Sequence, residues 1–267
     1  MSLANKIRGL AEIWKFDNRI YLGLTRLLFR GENINIYRYK GLEILTDHAS
    51  GDANGAREVF TSDMYRKYLP TLGLDGEINV LDIGANNGGF SLLLQSEGVA
   101  FRKLVCIEMN PETFSRLRFN IDRNLECATD VINAAVCGSE GKIEMNLGSG
   151  SAGDSIYSKK TSGQIRTIAG VTFDHIYQES FGDEIVDLCK IDIEGAEFEV
   201  FAGSRASQIQ RCRNVLIEIH HDKDHDRNIL RSRLSSLGFA ERDADEKNDD
   251  KHHVHLFVNS NFPANNP

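Results

Sequence analysis

The chain has 267 residues, 41% of them hydrophobic, enough for one large α/β domain or for a core with a small accessory unit. With 31 Lys and Arg against 39 Asp and Glu its net charge is −8, so no diffuse positive field attracts a polyphosphate and nucleic acid is not the expected substrate. No stretch reaches the roughly 20 apolar residues of a membrane span, and five cysteines without Cys-x-x-Cys spacing fit a reduced, cytoplasmic setting.

From Met1 to Arg30, the charges Lys6, Arg8, Glu12, Lys15, Asp17 and Arg19 interrupt any signal-peptide core, so this segment is expected to be retained. Leu3, Ile7, Leu10 and Trp14 share one helical face, and Ile20 to Phe29 is a second apolar run broken by Arg26. Such amphipathic segments pack on their own domain, form a homodimer contact, or rest weakly on a membrane surface. Asn33 to Asp47 alternates around Lys40-Gly41 as a β-hairpin does. The organisation expected is a helical and hairpin extension over 1–57, a main domain over 58–260 and a tail over 261–267, with a helix from Glu58 to Leu69 opening the main domain.

Val80-Leu81-Asp82-Ile83-Gly84-Ala85-Asn86-Asn87-Gly88-Gly89-Phe90 is an apolar strand entering a glycine-rich turn and then a helix. Its Asp-x-Gly-x-x-x-Gly spacing also suits an ordinary tight turn. As a ligand loop it differs from Gly-x-Gly-x-x-Gly, which sets a helix N-terminus against a pyrophosphate. A carboxylate at Asp82 repels phosphate and welcomes a cation, which points to the sulfonium nucleoside S-adenosylmethionine. A second strand, Lys103 to Glu108, ends in an acid 20 residues beyond Gly88, where it can accept both ribose hydroxyls. Asn110-Pro111-Glu112 then supplies an N-cap, a first-position proline and a first-turn acid, so a helix starts at Pro111, its core face being Phe114, Leu117 and Ile121.

Strand and helix signals keep alternating: Asp130 to Val136, Asp187 to Ile193, Glu197 to Ala202, Asn214 to His220, Arg227 to Leu237. This predicts an α/β fold, a doubly wound, mostly parallel seven-stranded sheet. Gly238-Phe239 and His253 to Asn259, flanking acidic Asp243 to Asp250, form an antiparallel C-terminal hairpin. The polar run from Gly148 to Gly163 reads as a solvated loop or a lid near the strand ends, where ligands bind. In Leu188 to Glu197, strand alternation sends Lys190, Asp192 and Glu194 to one side; Glu218 and His220 share a face of the next strand. Charges in central strands are costly unless paired, so the bland account is a buried Lys190–Asp192 ion pair.

Taken in order, Asp82 to Gly88, Glu108-Met109-Asn110-Pro111, Asn133-Ala134-Ala135-Val136, Thr172-Phe173-Asp174, Lys190 to Glu197 and Ile217-Glu218-Ile219-His220 resemble the FkbM-type S-adenosylmethionine-dependent methyltransferases over about residues 58 to 221. Phe173 stands where that family usually has leucine. The resemblance implies a Rossmann-like class I methyltransferase sheet and methyl transfer to a hydroxyl of a saccharide, glycan, lipid-linked sugar or natural product. It places Asp82, Gly84, Asn86 and Gly88 at the methionine end of the cofactor. Glu108 then takes the ribose, Met109 joins the cofactor site, and Asn133 to Ala135 borders the adenine.

The acceptor would be deprotonated as its oxygen attacks opposite the departing sulfur, so a nearby base is expected. His220, with an unperturbed pKa of about 6.5, is the first choice; Asp192 orients the hydroxyl or replaces it, and Glu194 completes the polar wall. The same carboxylates and histidine could hold a divalent metal, which spacing does not decide. His252, His253 and His255 with Asp249 and Asp250, and the run His221 to Asp226, read as solvated loops. The competing readings are an NAD-dependent oxidoreductase, since Glu108 could equally take a nicotinamide cofactor's ribose, and a non-catalytic cofactor-binding interaction protein.

Overall fold

Apolar runs too short for helices and rich in Val, Ile and Leu become strands, and the amphipathic stretches between them become the helices that cover both faces. In the computed structural model the described residues are 11–28, 34–48, 52–147, 164–202, 206–220, 226–242 and 254–262. They comprise α1 (Arg19–Leu28), β1 (Ile34–Tyr39), β2 (Leu42–Asp47), α2 (Asp52–Thr61), β3 (Glu77–Ile83), α3 (Gly89–Ser96), β4 (Ala100–Glu108), α4 (Pro111–Asn124), β5 (Ala128–Asn133), β6 (Ala135–Val136), β7 (Gly141–Leu147), β8 (Gln164–Val171), α5 (Phe173–Phe181), β9 (Val186–Ile191), α6 (Glu197–Ala202), β10 (Cys212–Glu218), α7 (Arg227–Ser236), β11 (Phe239–Arg242) and β12 (Val254–Asn259).

The main sheet has seven strands in the order β11-β12-β10-β9-β3-β4-β5. From β10 to β5 the neighbours are parallel, while β12 runs antiparallel to both β10 and β11, as expected of the C-terminal pair. The chain leaves β3 toward β4 and β5 and returns to β9 on the other side. That reversal opens a crevice at the carboxyl ends of β3 and β9.

Successive residues of each central strand face opposite layers. Val80, Leu104, Leu188 and Leu216 join one core cluster; Leu81, Val105, Cys189 and Val215 join the other with Phe173, Tyr177 and Phe201. The first cluster also takes in Ile13, Phe16, Tyr37 and Ile44, so the N-terminal segment and the hairpin pack into the same layer. Two amides of α4 seat that hairpin. Asn120 accepts from the Leu45 N–H (2.7 Å) and donates to the Leu45 carbonyl (3.0 Å) and to that of Asn87 in the glycine turn (2.8 Å); Asn124 accepts from the Glu43 N–H (2.8 Å) and donates to its carbonyl (2.8 Å).

Several boundaries differ from the sequence reading. The helix expected from Glu58 to Leu69 is α2, ending at Thr61, and a separate 3-10 turn, Arg66–Thr71; the Ser62 hydroxyl accepts from the Met64 N–H, competing with helix continuation, and Pro70 has no N–H to give. The single strand expected from Asp130 to Val136 bends after Asn133, whose amide donates to the carbonyls of Glu108 and Met109 (2.8 and 3.0 Å), and β6 joins a separate three-stranded sheet, β6-β8-β7. Trp14 is not on a buried face: it is exposed, while Ile13 and Phe16 enter the core. Ile20, Tyr21, Leu24, Leu27 and Leu28 of α1 are exposed too. Among the described residues no helix is long and apolar enough to cross a membrane. All five cysteines are free, and all but Cys127 are buried. The expected helical face of Leu3, Ile7 and Leu10, the loop Gly148 to Gly163, the acidic turn with His252 and His253, and the run His221 to Asp226 except its last residue lie outside the described residues.

Candidate active site

The turn after β3 is dictated by how closely two backbones meet. Gly84 has φ +73°, and a Cβ there would lie 1.7 Å from the carbonyl oxygen of Asp192. The N–H groups of Gly84 and Ala85 both donate to the Ile107 carbonyl (3.0 and 2.9 Å), and the Asp192 N–H donates to Ile83 (3.1 Å). Beneath the turn is a buried ionic group. The Lys190 ammonium, 4% exposed, donates to the Gly84 carbonyl (2.6 Å) and stands 3.5 Å from Asp82 Oδ1 and 3.4 Å from Asp192 Oδ2. The Ser91 hydroxyl donates to Asp82 Oδ2 (2.7 Å). Burial holds the Asp82 carboxyl above its ordinary range in spite of Lys190 and Ser91. Burial would lower Lys190, but Asp192, Asp82 and Glu218 together keep it above the ordinary lysine value.

Above this turn is a cleft partly open to solvent. Its walls come from the segments following β3, β4, β5 and β9. Of the residues expected at the cofactor, Gly84, Asn86, Glu108, Met109 and Ala135 line it, and so do Asp192 and Glu194. Among the described residues the wall carries three carboxylates and no Lys, Arg or His. Glu108 is fixed from both oxygens: Oε2 accepts from the Asn86 N–H (3.0 Å) and Oε1 from the Asn110 N–H (2.8 Å).

Three expected cofactor residues do not form the wall. Asp82 is fully buried and paired with Lys190, so its charge does not meet a ligand directly as the sequence argument had it. Gly88, at φ +91°, starts α3 close against Leu117, and Asn133 pins the bend behind Glu108 and Met109. Thr172 and Asp174 are structural here. Thr172 caps α5, and Asp174 accepts from the Gln208 N–H (2.7 Å).

At the Asp192 end, acids from two strands surround one imidazole. Ile191 pairs with Ile217, so Asp192 and Glu218 leave the sheet side by side, and alternation returns His220 to the face of Glu218. His220 Nδ1 is 3.0 Å from Oε1 of the fully buried Glu197, which also accepts from the Ile193 N–H (3.1 Å). His220 Nε2 lies 3.5 Å from Glu194, 3.6 Å from Glu218 and 3.9 Å from Asp192. Burial alone would lower the His220 pKa, but the bond to Glu197 and the charges of Asp192 and Glu194 raise it to about 9. Burial pushes Glu194 up to about 7, and burial with the Asp192 charge pushes Glu218 up to about 8. The neutral His220 inferred from the unperturbed value is therefore replaced by a protonated one at neutral pH. Glu197 was read only as a helix start; its lack of any exposed surface is what reveals its part. His255, grouped in sequence with a solvated loop, is buried and bonded to Glu241 (2.7 Å).

A family model described as the Methyltransferase FkbM domain matches residues 82–255. Among solved structures, the methyltransferase FkbM from Methylobacillus flagellatus is 16% identical, with 68% of this chain aligned to 43% of that one and a TM-score of 0.40. The present chain thus spans less than half the length of that protein. Aeropyrum pernix fibrillarin, solved with S-adenosyl-L-methionine, is 15% identical over 85% of this chain and 82% of its own, with a TM-score of 0.44. M. capricolum TrmK, solved with S-adenosyl-homocysteine, is 12% identical over 74% of this chain and 70% of its own, with a TM-score of 0.41. No curated protein matches the chain. Matched by the family model over more than half of its length, and built on a doubly wound, mostly parallel sheet closed by an antiparallel strand pair, the chain belongs to the FkbM methyltransferase family and has the Rossmann-like class I methyltransferase fold.

Proposed function

We propose that this chain transfers a methyl group from S-adenosylmethionine to a hydroxyl oxygen of a small-molecule or saccharide acceptor. The observation that carries the reading is the cleft wall, whose charged side chains among the described residues are the acids Glu108, Asp192 and Glu194, with Lys190 and His220 standing behind the last two. Such a wall favours a sulfonium and repels the pyrophosphate of a nicotinamide dinucleotide. In this reading Glu108 takes the ribose hydroxyls, Gly84 and Asn86 border the methionine end, and Met109 with Ala135 encloses the adenine. Residues 58–260 act as the catalytic unit, with 1–57 as an extension packed on it.

The acceptor hydroxyl is assigned to Asp192, which faces the cleft; His220, protonated and held by Glu197, supports that carboxylate rather than acting as the base. Alignment of the two reactants supplies most of the rate, roughly 7–11 kcal/mol. The base adds perhaps ~10²–10⁴-fold. Asp192→Asn is therefore expected to bind S-adenosylhomocysteine normally and to lose turnover by about that factor, read by transfer of label from S-adenosylmethionine into a cell-extract acceptor. Full turnover in this variant refutes the assignment. Glu108→Gln removes a charged acceptor and is expected to weaken S-adenosylhomocysteine by about 1.5–3 kcal/mol, roughly ten- to hundredfold, in calorimetric titration. Unchanged affinity there, or tighter binding of NAD by the wild-type chain, would return the oxidoreductase reading.

A further inference from the structure

We infer that Asp192, Glu218 and His220 form a binding site for one divalent cation of the Mn²⁺ type, reaching the cleft through Asp192. One carboxylate oxygen from each acid and one ring nitrogen lie within 4.8 Å of one another. His220 Nε2 is 3.6 Å from Glu218 Oε1 and 3.9 Å from Asp192 Oδ1. Ligands held about 2.1 Å from a common ion lie roughly 3–4 Å apart, so the two separations from His220 Nε2 suit a shared ion. Lys190 does not block the position. It approaches the other oxygen of Asp192, Oδ2, and leaves Oδ1 toward the imidazole.

A second observation comes from behind the imidazole. Glu197 is fully buried; its Oε1 meets His220 Nδ1 at 3.0 Å, and its Oε2 has no hydrogen-bond partner. A carboxylate on the far nitrogen is what orients a metal-binding histidine, fixing Nε2 toward the ion, and the ion displaces the proton that Nε2 carries in the metal-free chain. A buried carboxylate oxygen left without a partner is otherwise costly, and a double positive charge one ring away offsets it. The donor set narrows the ion: two hard oxygens with one imidazole suit Mn²⁺ better than Ca²⁺, which takes oxygens alone. Three protein ligands also leave positions open. An acceptor hydroxyl bound at one of them would become more acidic; that use rests on the function proposed above, whereas the site does not.

The test uses the full chain, stripped with a chelator, and MnCl₂ alone, with neither S-adenosylmethionine nor acceptor present, so its result is independent of methyl transfer. Electron paramagnetic resonance titration should show one bound Mn²⁺, with electron spin-echo modulation from a single imidazole nitrogen. Glu218→Gln should bind at least tenfold more weakly, Glu197→Gln roughly 10–100-fold more weakly, and His220→Asn should lose the nitrogen signal. Glu241→Gln, which disturbs the acid–histidine pair with His255, should bind as the wild type does. No Mn²⁺ binding, binding unaltered by Glu218→Gln, or bound Mn²⁺ without nitrogen modulation overturns the inference. The wild-type spectrum and Glu218→Gln decide the matter even where His220→Asn fails to fold.

Discussion

Gly84→Ala is expected to yield a chain that is destabilised by roughly 2–6 kcal/mol and no longer binds S-adenosylhomocysteine. Two independent penalties meet at one atom. The backbone sits at φ +73°, which costs a non-glycine residue about 1–3 kcal/mol. The added Cβ also falls 1.7 Å from the Asp192 carbonyl oxygen, an overpacking worth about 1–3 kcal/mol even where the structure yields. It cannot yield cheaply. The same segment is tied by Gly84 and Ala85 to Ile107, and by Asp192 to Ile83, so moving apart breaks ladder bonds on both sides. Chemical denaturation with ligand titration measures both effects. Near-wild-type stability and affinity in Gly84→Ala would show that β3 and β9 do not meet as described.

Lys190→Met should cost about 3–5 kcal/mol at neutral pH, the usual penalty for leaving a buried charge without its partner. Methionine conserves most of the volume, so the loss is electrostatic rather than a cavity. Its pH dependence has a definite sign. The folded-state pKa of Asp82 already lies above the ordinary carboxylate value, and losing Lys190 raises it further. The folded chain then binds a proton more readily than the unfolded one, so stability falls as pH rises from the unfolded carboxylate value of about 3.9 through the folded one. The gap between Lys190→Met and wild type should therefore shrink on acidifying from about pH 7.5 to about pH 5.5. Adding Asp82→Asn to Lys190→Met should recover part of the loss, and strict additivity of the two single losses would disprove the pairing.

Much of this architecture is legible in the residues because local and global signals agree. Asn110-Pro111-Glu112 announces α4 to the residue, since Asn110 accepts from the N–H groups of both Glu112 and Thr113. The parallel strands are visible as apolar runs because both their faces are buried. The three-stranded sheet was missed. Its polar–apolar alternation, Lys142-Ile143-Glu144-Met145-Asn146-Leu147, was overshadowed by the glycine and serine run that follows. For the site, periodicity indicates which side of a strand a residue takes but not how deep it lies. Asp82 and Asp192 both follow apolar runs, yet one is sealed against Lys190 and the other faces the cleft. The His220 protonation state was out of reach for the same reason, because it depends on Glu197 and Glu194, brought beside the imidazole only by the meeting of two strand ends.

The two asparagines of α4 bear on how the molecule protects itself. A two-stranded ribbon exposes main-chain donors and acceptors that could recruit another chain's strand. Here Asn120 and Asn124 occupy the N–H and C=O of Leu45 and Glu43 with side-chain amides, acting as a false neighbouring strand. Asn120 also grips the carbonyl of Asn87, so the ribbon is moored to the glycine bend beside the cleft. Peeling the ribbon away would expose a sticky margin and loosen that bend in one event, which makes the hairpin of residues 34–47 part of the cleft's support rather than an appendage.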